Sequence, residues 1–217
     1  MSMDAGRKIT AMSRRIRSKS AASRRAHERD FAVRTARQQG YRSRAAIKLL
    51  EMDNRAGVFR RGDRVADLGS APGGWSQVAV EKTGGLVAAA DLLAMRPLDG
   101  VFFVRGDFQK PQTAAALVAH LGGSVDVALS DMSPNLSGIA AADQEHAAAL
   151  ARAALSFAEH FLVGDGRLLV KCFDGLGFAE LRQEVSECFG KVRILHPPSS
   201  RQASREVYIF AAGRRKE

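Results

Sequence analysis

Several features that would narrow the function of this chain are scarce or missing from its sequence. The 217 residues include only two cysteines, Cys172 and Cys188, and five scattered histidines. This number of cysteines excludes a disulfide framework, and no Cys or His spacing matches a zinc site. The apolar runs are shorter than the roughly 18 residues that a membrane-spanning helix needs, and the start is unlike a secretory signal. We therefore expect a soluble protein from a reducing compartment, with neither metal nor membrane segment.

Acidic residues are scarce at the N-terminal end, where the basic residues are concentrated. Residues 1–48 hold 14 of the 33 Lys and Arg residues but only Asp4, Glu28 and Asp30, a net charge of about +11. The remainder, with 19 basic and 20 acidic residues, is nearly neutral. We predict a basic, flexible, RNA-binding arm over residues 1–37 and one domain over residues 38–217, because a Ser/Arg/Ala-rich segment suits phosphate neutralisation.

The same composition admits other interpretations of the arm. A solvated tail would look alike, and an Arg-rich, Ser-rich start also resembles an organelle transit peptide, although Asp4 argues mildly against one. We expect a cytoplasmic protein, with a mitochondrial location as the alternative. Near the arm and the later motifs, four arginines could clamp RNA phosphates or be ordinary surface charge: Arg42, Arg44, Arg201 and Arg205.

From Arg61 onward, short apolar runs alternate with longer helical patterns, which is typical of an α/β fold with a mostly parallel sheet. The seven predicted strands are RVADLG, LVAAAD, VFFVRGD, VDVALSD, GRLLVKCF, KVRILHP and EVYIFAA. Helices are predicted near residues 75–83, 111–121, 142–162 and 177–189. In such a sheet, ligands bind at the carboxyl ends of the strands.

The stretch RVADLGSAPGGWSQVAV places glycines between a strand and a helix. Glycines there let the backbone approach a ligand without a Cβ in the way. The spacing of Gly69, Gly73 and Gly74 matches neither the dinucleotide fingerprint nor the phosphate-binding P-loop. The turn therefore indicates a nucleoside-type ligand rather than a dinucleotide or a nucleoside triphosphate.

Two carboxylates follow the next two predicted strands. Asp91 lies 22 residues beyond Gly69, where a carboxylate can accept hydrogen bonds from both hydroxyls of a ribose. Asp107, at the following strand end, could accept an adenine amino group. Either residue alone could simply cap a turn or a helix, but their ordered recurrence after a glycine turn predicts an adenosine site.

A set of motifs in fixed order completes the pattern: GYRSRAAIKL, DLGSAPGGWSQ, SDMSPNLSG, VKCF and SREVYIF. Together they resemble the FtsJ/RrmJ family of S-adenosylmethionine-dependent RNA ribose 2′-O-methyltransferases, from about residue 38 to the C-terminus. The resemblance implies a Rossmann-like methyltransferase fold with helices on both faces of the sheet and an antiparallel C-terminal strand. It also implies S-adenosylmethionine as cofactor and large-subunit ribosomal RNA as partner, with a uridine ribose as the target.

The resemblance assigns roles to individual residues. The family's cofactor-binding positions fall on Gly73, Trp75, Asp91, Asp107 and Asp131. Its catalytic Lys-Asp-Lys-Glu set falls on Lys48, Asp131, Lys171 and Glu206, with Lys171 the expected proton acceptor. A neutral lysine is rare near pH 7, because the reference pKa is about 10.4, and a second ammonium at Lys48 would favour the neutral form of Lys171.

Plainer roles remain open for several of these residues. Lys48 lies opposite the apolar stripe of its predicted helix and could be solvated, Glu206 could be a surface strand residue, and Trp75 could belong to the core. The function also has alternatives: a ribose methyltransferase acting on transfer RNA or on messenger RNA caps, or a ribosome-assembly protein that binds RNA without catalysis.

Overall fold

A seven-stranded sheet forms the centre of the computed structural model, which describes residues 32–134, 137–175, 177–200 and 205–215. The strands are β1 (Val65–Leu68), β2 (Val87–Asp91), β3 (Val101–Arg105), β4 (Val125–Ser130), β5 (Leu162–Phe173), β6 (Phe189–Leu195) and β7 (Glu206–Arg214). The helices that follow residue 40 are α1 (Ala45–Ala56), α2 (Gly74–Thr83), α3 (Pro111–His120), α4 (Ala140–Phe161) and α5 (Phe178–Cys188).

The strand order is β3-β2-β1-β4-β5-β7-β6. Strands β1 to β5 pair in parallel, whereas β7 runs antiparallel to both β5 and β6. The predicted α/β class is confirmed, including the antiparallel C-terminal strand. The order reverses between β1 and β4, and sheets of this type bind ligands at the carboxyl ends of the strands on either side of such a point.

Alternating side chains of the central strands supply two hydrophobic cores. Ala66 and Ala128 face one side of the sheet, where α3, α4 and α5 pack. Val65 and Val127, their neighbours along the chain, face the other side with α1 and α2. The central strands are buried on both faces, which is why they read as continuous apolar runs rather than as alternating ones.

The predicted strands and helices all occur, and their ends differ by a few residues. The largest difference is at β5, which begins at Leu162 rather than near Gly166. It follows α4 directly, and Leu162 pairs with Val125 before the register shifts further along the two strands. That shift interrupts the regular apolar pattern from which a strand start is recognised.

Residues 32–38 are helical, and the side chains of Ala32 and Ala36 are buried. The predicted boundary between arm and domain at residues 37 and 38 lies within this helical segment, while residues 1–31 are outside the described residues. The division into arm and domain therefore stays a prediction. Among the described residues, no helix combines the length and apolar character needed to cross a membrane.

A buried ion pair stabilises the edge of the sheet opposite the strand ends. Arg167 on β5 is 3% exposed and donates to Asp63 at 2.7 Å and to the carbonyl of Val58 at 2.8 Å. Asp63 also accepts from the backbone N–H of Arg60 at 2.6 Å. Removing one partner of a buried pair leaves the other charge without compensation, which is a large destabilisation.

We expect Arg167→Met to lower the free energy of unfolding by about 3–5 kcal/mol, because Asp63 would remain buried without its cation. Urea denaturation at pH 7 measures this. The exposed pair of Arg60 and Asp165, with side chains 61% and 77% exposed, provides a matched control. Arg60→Ala should change stability by no more than about 1 kcal/mol, and equal effects of the two substitutions would contradict the assignment.

Candidate active site

The polar residues singled out in the sequence converge on one edge of the sheet. Asp91 ends β2, while Asp107 and Asp131 follow β3 and β4. Because β7 is antiparallel, its first residues lie at the same edge as the last residues of β5. The register pairs Lys171 with Tyr208 and Phe173 with Glu206. Glu206, the first residue of β7, therefore lies at the same edge as the last residues of the parallel strands.

Lys171 is held in place by Asp131. Its Nζ donates to the backbone carbonyl of Asp131 at 2.7 Å and to the Oδ1 of the same residue at 3.0 Å. The two side chains are 6% and 19% exposed. The double contact fixes both the position of Nζ and the orientation of the carboxylate.

Lys48 is buried and paired with a carboxylate. It lies on α1 next to Ile47 and Leu49, both buried, and only 8% of the residue is exposed. Its Nζ donates to Oε1 of Glu206, whose side chain is 14% exposed. The interpretations of Lys48 as a solvated residue and of Glu206 as a surface strand residue are therefore wrong. Helix periodicity misplaced Lys48 because α1 packs more than one face against its surroundings.

Tyr208 connects the two ion pairs. Its hydroxyl lies 2.9 Å from Oδ1 of Asp131, 3.1 Å from Oε1 of Glu206 and 3.5 Å from Nζ of Lys48. The residue is fully buried. Sequence reasoning missed this role because a tyrosine within VYIF resembles a core residue, although its place two positions after Glu206, on the same face of the strand, was a usable signal.

The pKa values of the connecting groups reflect this surrounding charge. Burial first, and then the carboxylates of Asp131 and Glu206, raise the pKa of Tyr208 well above its usual value. Burial also acts to raise the pKa of Glu206, but the Lys48 ammonium and its hydrogen bond outweigh it, so the pKa is lowered overall. At neutral pH, Tyr208 therefore stays a neutral hydroxyl and Glu206 stays an anion.

Two serines of the loop between β6 and β7 donate hydrogen bonds, one to Glu206 of this network and the other to α1. The hydroxyl of Ser200 donates to Oε1 of Glu206 at 3.0 Å. Both the backbone N–H and the hydroxyl of Ser199 donate to Oε2 of Glu51, at 3.0 and 2.8 Å. Glu51 lies on α1, one turn beyond Lys48, so the same helix positions a lysine and holds the loop.

A second group of residues lies beside this network, at the ends of β1 and β2. The Asp91 carboxylate accepts the backbone N–H of Ala71 at 2.9 Å and that of Leu93 at 2.8 Å, one on each oxygen. A carboxylate has about four acceptor positions, and Asp91 is partly exposed. Two backbone contacts thus orient Asp91 and leave capacity for two further donors, as a ribose diol would require.

Two glycines of the turn make room for neighbouring side chains. Gly69 has a φ of +77°, and a Cβ there would lie 2.1 Å from the side chain of Met132. Gly73 has a φ of +106°, and its Cβ would lie 2.8 Å from the sulfur of Met95. Glycine is therefore needed at both positions for conformation and for packing.

The remaining predicted cofactor residues have defined local roles. Asp107 accepts the backbone N–H of Gln109 at 2.9 Å, so it caps a turn and keeps further acceptor positions. Trp75 is 3% exposed, donates from its indole to the carbonyl of Ala45 at 2.8 Å, and packs against the ring of Tyr208 at 5.9 Å. This burial favours the core role for the Trp75 side chain.

Asp67, the last polar residue of β1, was assigned no role from the sequence. It is 1% exposed and accepts the hydroxyl of Ser76 at 2.6 Å. Burial, together with the charges of Asp131 and Asp91, raises the pKa of Asp67 to about 7 against the opposing effect of Ser76. A polar residue within an otherwise apolar strand was the available signal.

Comparison with known proteins shows the family to which the chain belongs. The model of a family described as FtsJ-like methyltransferase matches residues 41–214. The chain belongs to the FtsJ-like methyltransferase family. The resemblance to this family that the sequence motifs indicated is thereby confirmed. The matched range contains all four residues of the predicted catalytic set.

Individual relatives agree with the family. This methyltransferase is 44% identical over 174 residues to a Ribosomal RNA large subunit methyltransferase E of Methanothrix thermoacetophila, which covers 80% of this chain and 68% of the relative. It is 48% identical over 180 residues to the Halorhodospira halophila protein of the same name, covering 82% and 85%. A solved Plasmodium falciparum structure described as a ribosomal RNA methyltransferase superposes with a TM-score of 0.73 at 27% identity, covering 80% of this chain and 98% of that one.

The structure thus brings together Lys48, Asp131, Lys171 and Glu206, and places Asp91 and Gly73 at the neighbouring strand ends. That these residues perform catalysis and hold a cofactor stays a prediction. Arg201 and residues 1–31 lie outside the described residues. Within the described part of the chain, no cluster of three or more His, Cys, Asp or Glu side chains could hold a metal ion.

We expect Asp67 to make stability fall as pH rises. Its folded pKa of about 7 lies above the unfolded value near 3.8, so the folded state binds the extra proton between these limits. Asp67→Asn should remove a slope of up to about 1.4 kcal/mol per pH unit from the free energy of unfolding. Urea denaturation at several pH values from 4.5 to 7.5 measures the difference from wild type, and the exposed Asp165→Asn serves as control. Parallel curves for wild type and Asp67→Asn would contradict the burial effect.

Proposed function

We propose that this methyltransferase transfers a methyl group from S-adenosylmethionine to a ribose 2′-hydroxyl of RNA, most specifically to a uridine of large-subunit ribosomal RNA. The observation that carries the proposal is the network of two buried lysines and two carboxylates, joined through Tyr208, beside the carboxylate of Asp91. It combines groups suited to deprotonating and orienting a hydroxyl with a neighbouring site suited to an adenosine.

The residues at the ends of β1, β2 and β3 suit this cofactor. Asp91 would accept the ribose hydroxyls, Asp107 would accept the adenine amino group, and the backbone around Gly73 would lie along the ligand. Both carboxylates are held by backbone N–H groups and retain acceptor positions. When bound there, S-adenosylmethionine supplies a methyl group made electrophilic by the adjoining sulfonium, which becomes a neutral thioether when the methyl carbon is transferred.

The protein's task in the reaction is to take the proton of the 2′-hydroxyl as its oxygen attacks. The Lys171 ammonium must first release a proton to solvent, and the neutral amine then has two N–H bonds and one lone pair. The two hydrogen bonds from Lys171 to Asp131 account for both N–H bonds, so the lone pair of Nζ can receive the proton. Lys48, fixed by Glu206, adds a positive charge that stabilises the oxygen as it loses its proton.

Large-subunit ribosomal RNA is the substrate we infer from the relatives. Proteins named Ribosomal RNA large subunit methyltransferase E share 44–48% identity with this chain over about four fifths of its length. The basic N-terminal residues supply charge suited to RNA. We propose a cytoplasmic location and action on RNA within the large ribosomal subunit. Transfer RNA or capped messenger RNA is the alternative substrate, since the same four residues suit any ribose hydroxyl.

We expect Asp91→Ala to weaken S-adenosylmethionine binding by about 1–3 kcal/mol, because hydrogen bonds to a charged acceptor are lost. Calorimetric titration measures the affinity, and circular dichroism checks that the variant is folded. Asp165→Asn, far from the strand ends, is the control. Unchanged affinity in a folded Asp91→Ala protein would remove Asp91 from the site, and preferential binding of NAD would overturn the cofactor assignment.

We expect Lys171→Ala to bind S-adenosylmethionine normally and to lose a factor of about 10²–10⁴ in the rate of methyl transfer, because a general base acts in the transition state. Lys171→Arg keeps the positive charge but cannot release its proton at neutral pH, and it should lose as much. Single-turnover assays with labelled cofactor and large ribosomal subunits from methylation-deficient cells measure the rate.

The same assay decides the substrate once the labelled nucleotide is mapped. Label on a ribose of large-subunit RNA supports the proposal. Label on transfer RNA, on capped messenger RNA or on a base atom would overturn the substrate. A Lys171→Arg protein with normal turnover would exclude Lys171 as the base, and a wild type without transfer to any RNA would favour a protein that only binds.

A further inference from the structure

Arg42 is half-buried, and its side chain bridges two loops at the cofactor edge of the sheet. Its Nη1 donates to the carbonyl of Arg96 at 2.6 Å and to that of Pro72 at 3.3 Å, while Nη2 donates to the carbonyl of Pro97. Pro72 belongs to the glycine turn (residues 69–74), and the other two carbonyls belong to the β2–β3 loop (residues 92–100). One guanidinium therefore holds both loops by their backbones.

These two loops are the ones that Asp91 also joins. Its carboxylate accepts the N–H of Ala71 in the glycine turn and that of Leu93 in the β2–β3 loop. Arg42 and Asp91 thus connect the same pair of loops at two places. Gly73 lies against the arginine as well, since a Cβ there would be 3.1 Å from Nη1 and 3.3 Å from Cδ of Arg42.

The backbone around Arg42 is anchored to the helix that continues from the glycine turn. The N–H of Arg42 donates to Oε1 of Gln77 at 2.7 Å, and Nε2 of Gln77 donates to the carbonyl of Gly40 at 3.1 Å. The hydroxyl of Tyr41 donates to Glu81 at 2.6 Å. Gln77 and Glu81 are both on α2, so the backbone that carries the Arg42 side chain is held in place by this helix.

This arrangement favours a role inside the protein over the clamping of an RNA phosphate that the sequence suggested for Arg42. Both N–H bonds of Nη1 are directed to carbonyls, and a third N–H, on Nη2, is used in the same way. A bidentate phosphate contact uses a pair of guanidinium N–H groups, and Nη1 has neither of its own left for one. Three of the five N–H groups of the guanidinium instead donate to backbone carbonyls of the protein.

We propose that Arg42 is a positioning residue for the cofactor: it holds the glycine turn and the β2–β3 loop at the separation at which Asp91 and the turn can bind S-adenosylmethionine together. The inference rests on the proposed function, because it deepens the cofactor site. Arg42 touches neither reacting group, and its effect reaches the ligand through Gly73 and the Asp91 contacts. The loops would separate without it, and binding would include the work of bringing them together.

The test compares Arg42→Ala and Arg42→Lys with wild type, with Arg96→Ala as the control. Arg96 offers only its carbonyl to Arg42, and its side chain is exposed. Calorimetry with S-adenosylmethionine gives the cofactor affinity. Fluorescence anisotropy with a labelled RNA hairpin, at several salt concentrations, gives the RNA affinity and its salt dependence.

We expect both Arg42 variants to weaken cofactor binding by about tenfold or more, because hydrogen bonds from a charged donor are lost. Lysine should not rescue, since one ammonium cannot reproduce the planar fork that reaches both loops. The KM for S-adenosylmethionine should rise while kcat at saturating cofactor stays within about threefold of wild type. Arg96→Ala should bind the cofactor within about twofold of wild type.

The opposite pattern would overturn the inference. A phosphate clamp predicts unchanged cofactor affinity in Arg42→Ala, a salt slope reduced by about 0.7–0.9, and substantial rescue by lysine. Unchanged values in both assays would also refute the positioning role. Hydrogen exchange adds a readout without ligand: in Arg42→Lys, the N–H groups of Ala71 and Leu93 should exchange faster while those of α4 do not change.

Failure of the inference is separable from failure of the proposed function. If wild type itself does not bind S-adenosylmethionine, the proposed function falls. The exchange rates of Ala71 and Leu93 still decide whether Arg42 holds the two loops, and unchanged rates in Arg42→Lys would refute that it does.

Discussion

The antiparallel pairing of β5 with β7 is the constraint on which the candidate active site depends. It sets Tyr208 opposite Lys171 and Glu206 opposite Phe173, and thereby brings the start of one strand to the edge where the parallel strands end. A shift of one residue would turn Tyr208 and Glu206 to the other face of the sheet. Because both neighbours of β7 fix its register, the apolar core and the polar network are specified together.

Burying two lysines near two carboxylates is tolerable only when every charge has a partner. Each of Lys48 and Lys171 is 8% exposed, and an unpaired ion at such a position would lose several kcal/mol of hydration. The direct contacts to Glu206 and Asp131 offset much of that penalty. The arrangement gives little net stability by comparison with an apolar core, and its benefit is that side chains with many rotamers are held in one geometry.

The sequence predicted the strands, their mostly parallel order and the edge where the polar residues meet. This was possible because the carboxyl ends of parallel strands lie at one edge of the sheet, and the polar residues follow those strand ends in the sequence. The ordered motifs also brought out Lys48, Asp131, Lys171 and Glu206. The face of α1 that carries Lys48 was predicted wrongly, since burial of a helix depends on what packs around it. For Tyr208, Glu206 two residues before it was a local signal, but Asp131 and Lys48 lie far from it in the sequence. The role of Arg42 was beyond local patterns, because the carbonyls that it binds lie 30 or more residues away.

The hydrogen-bond capacity of Tyr208 shows how the two ion pairs are joined. Its hydroxyl has one proton and lies near two carboxylates, so it can donate to only one of them at a time. Oε1 of Glu206 already accepts from Lys48 and from Ser200, whereas Oδ1 of Asp131 accepts from Lys171 and lies closer to the phenol, at 2.9 Å. Donation to Asp131 is therefore favoured, and the phenol oxygen then faces Lys48 as an acceptor. The β5–β7 register places this oxygen, and the packing of α1 against the sheet places Lys48 next to it. Both therefore determine the position of Lys48 relative to Lys171.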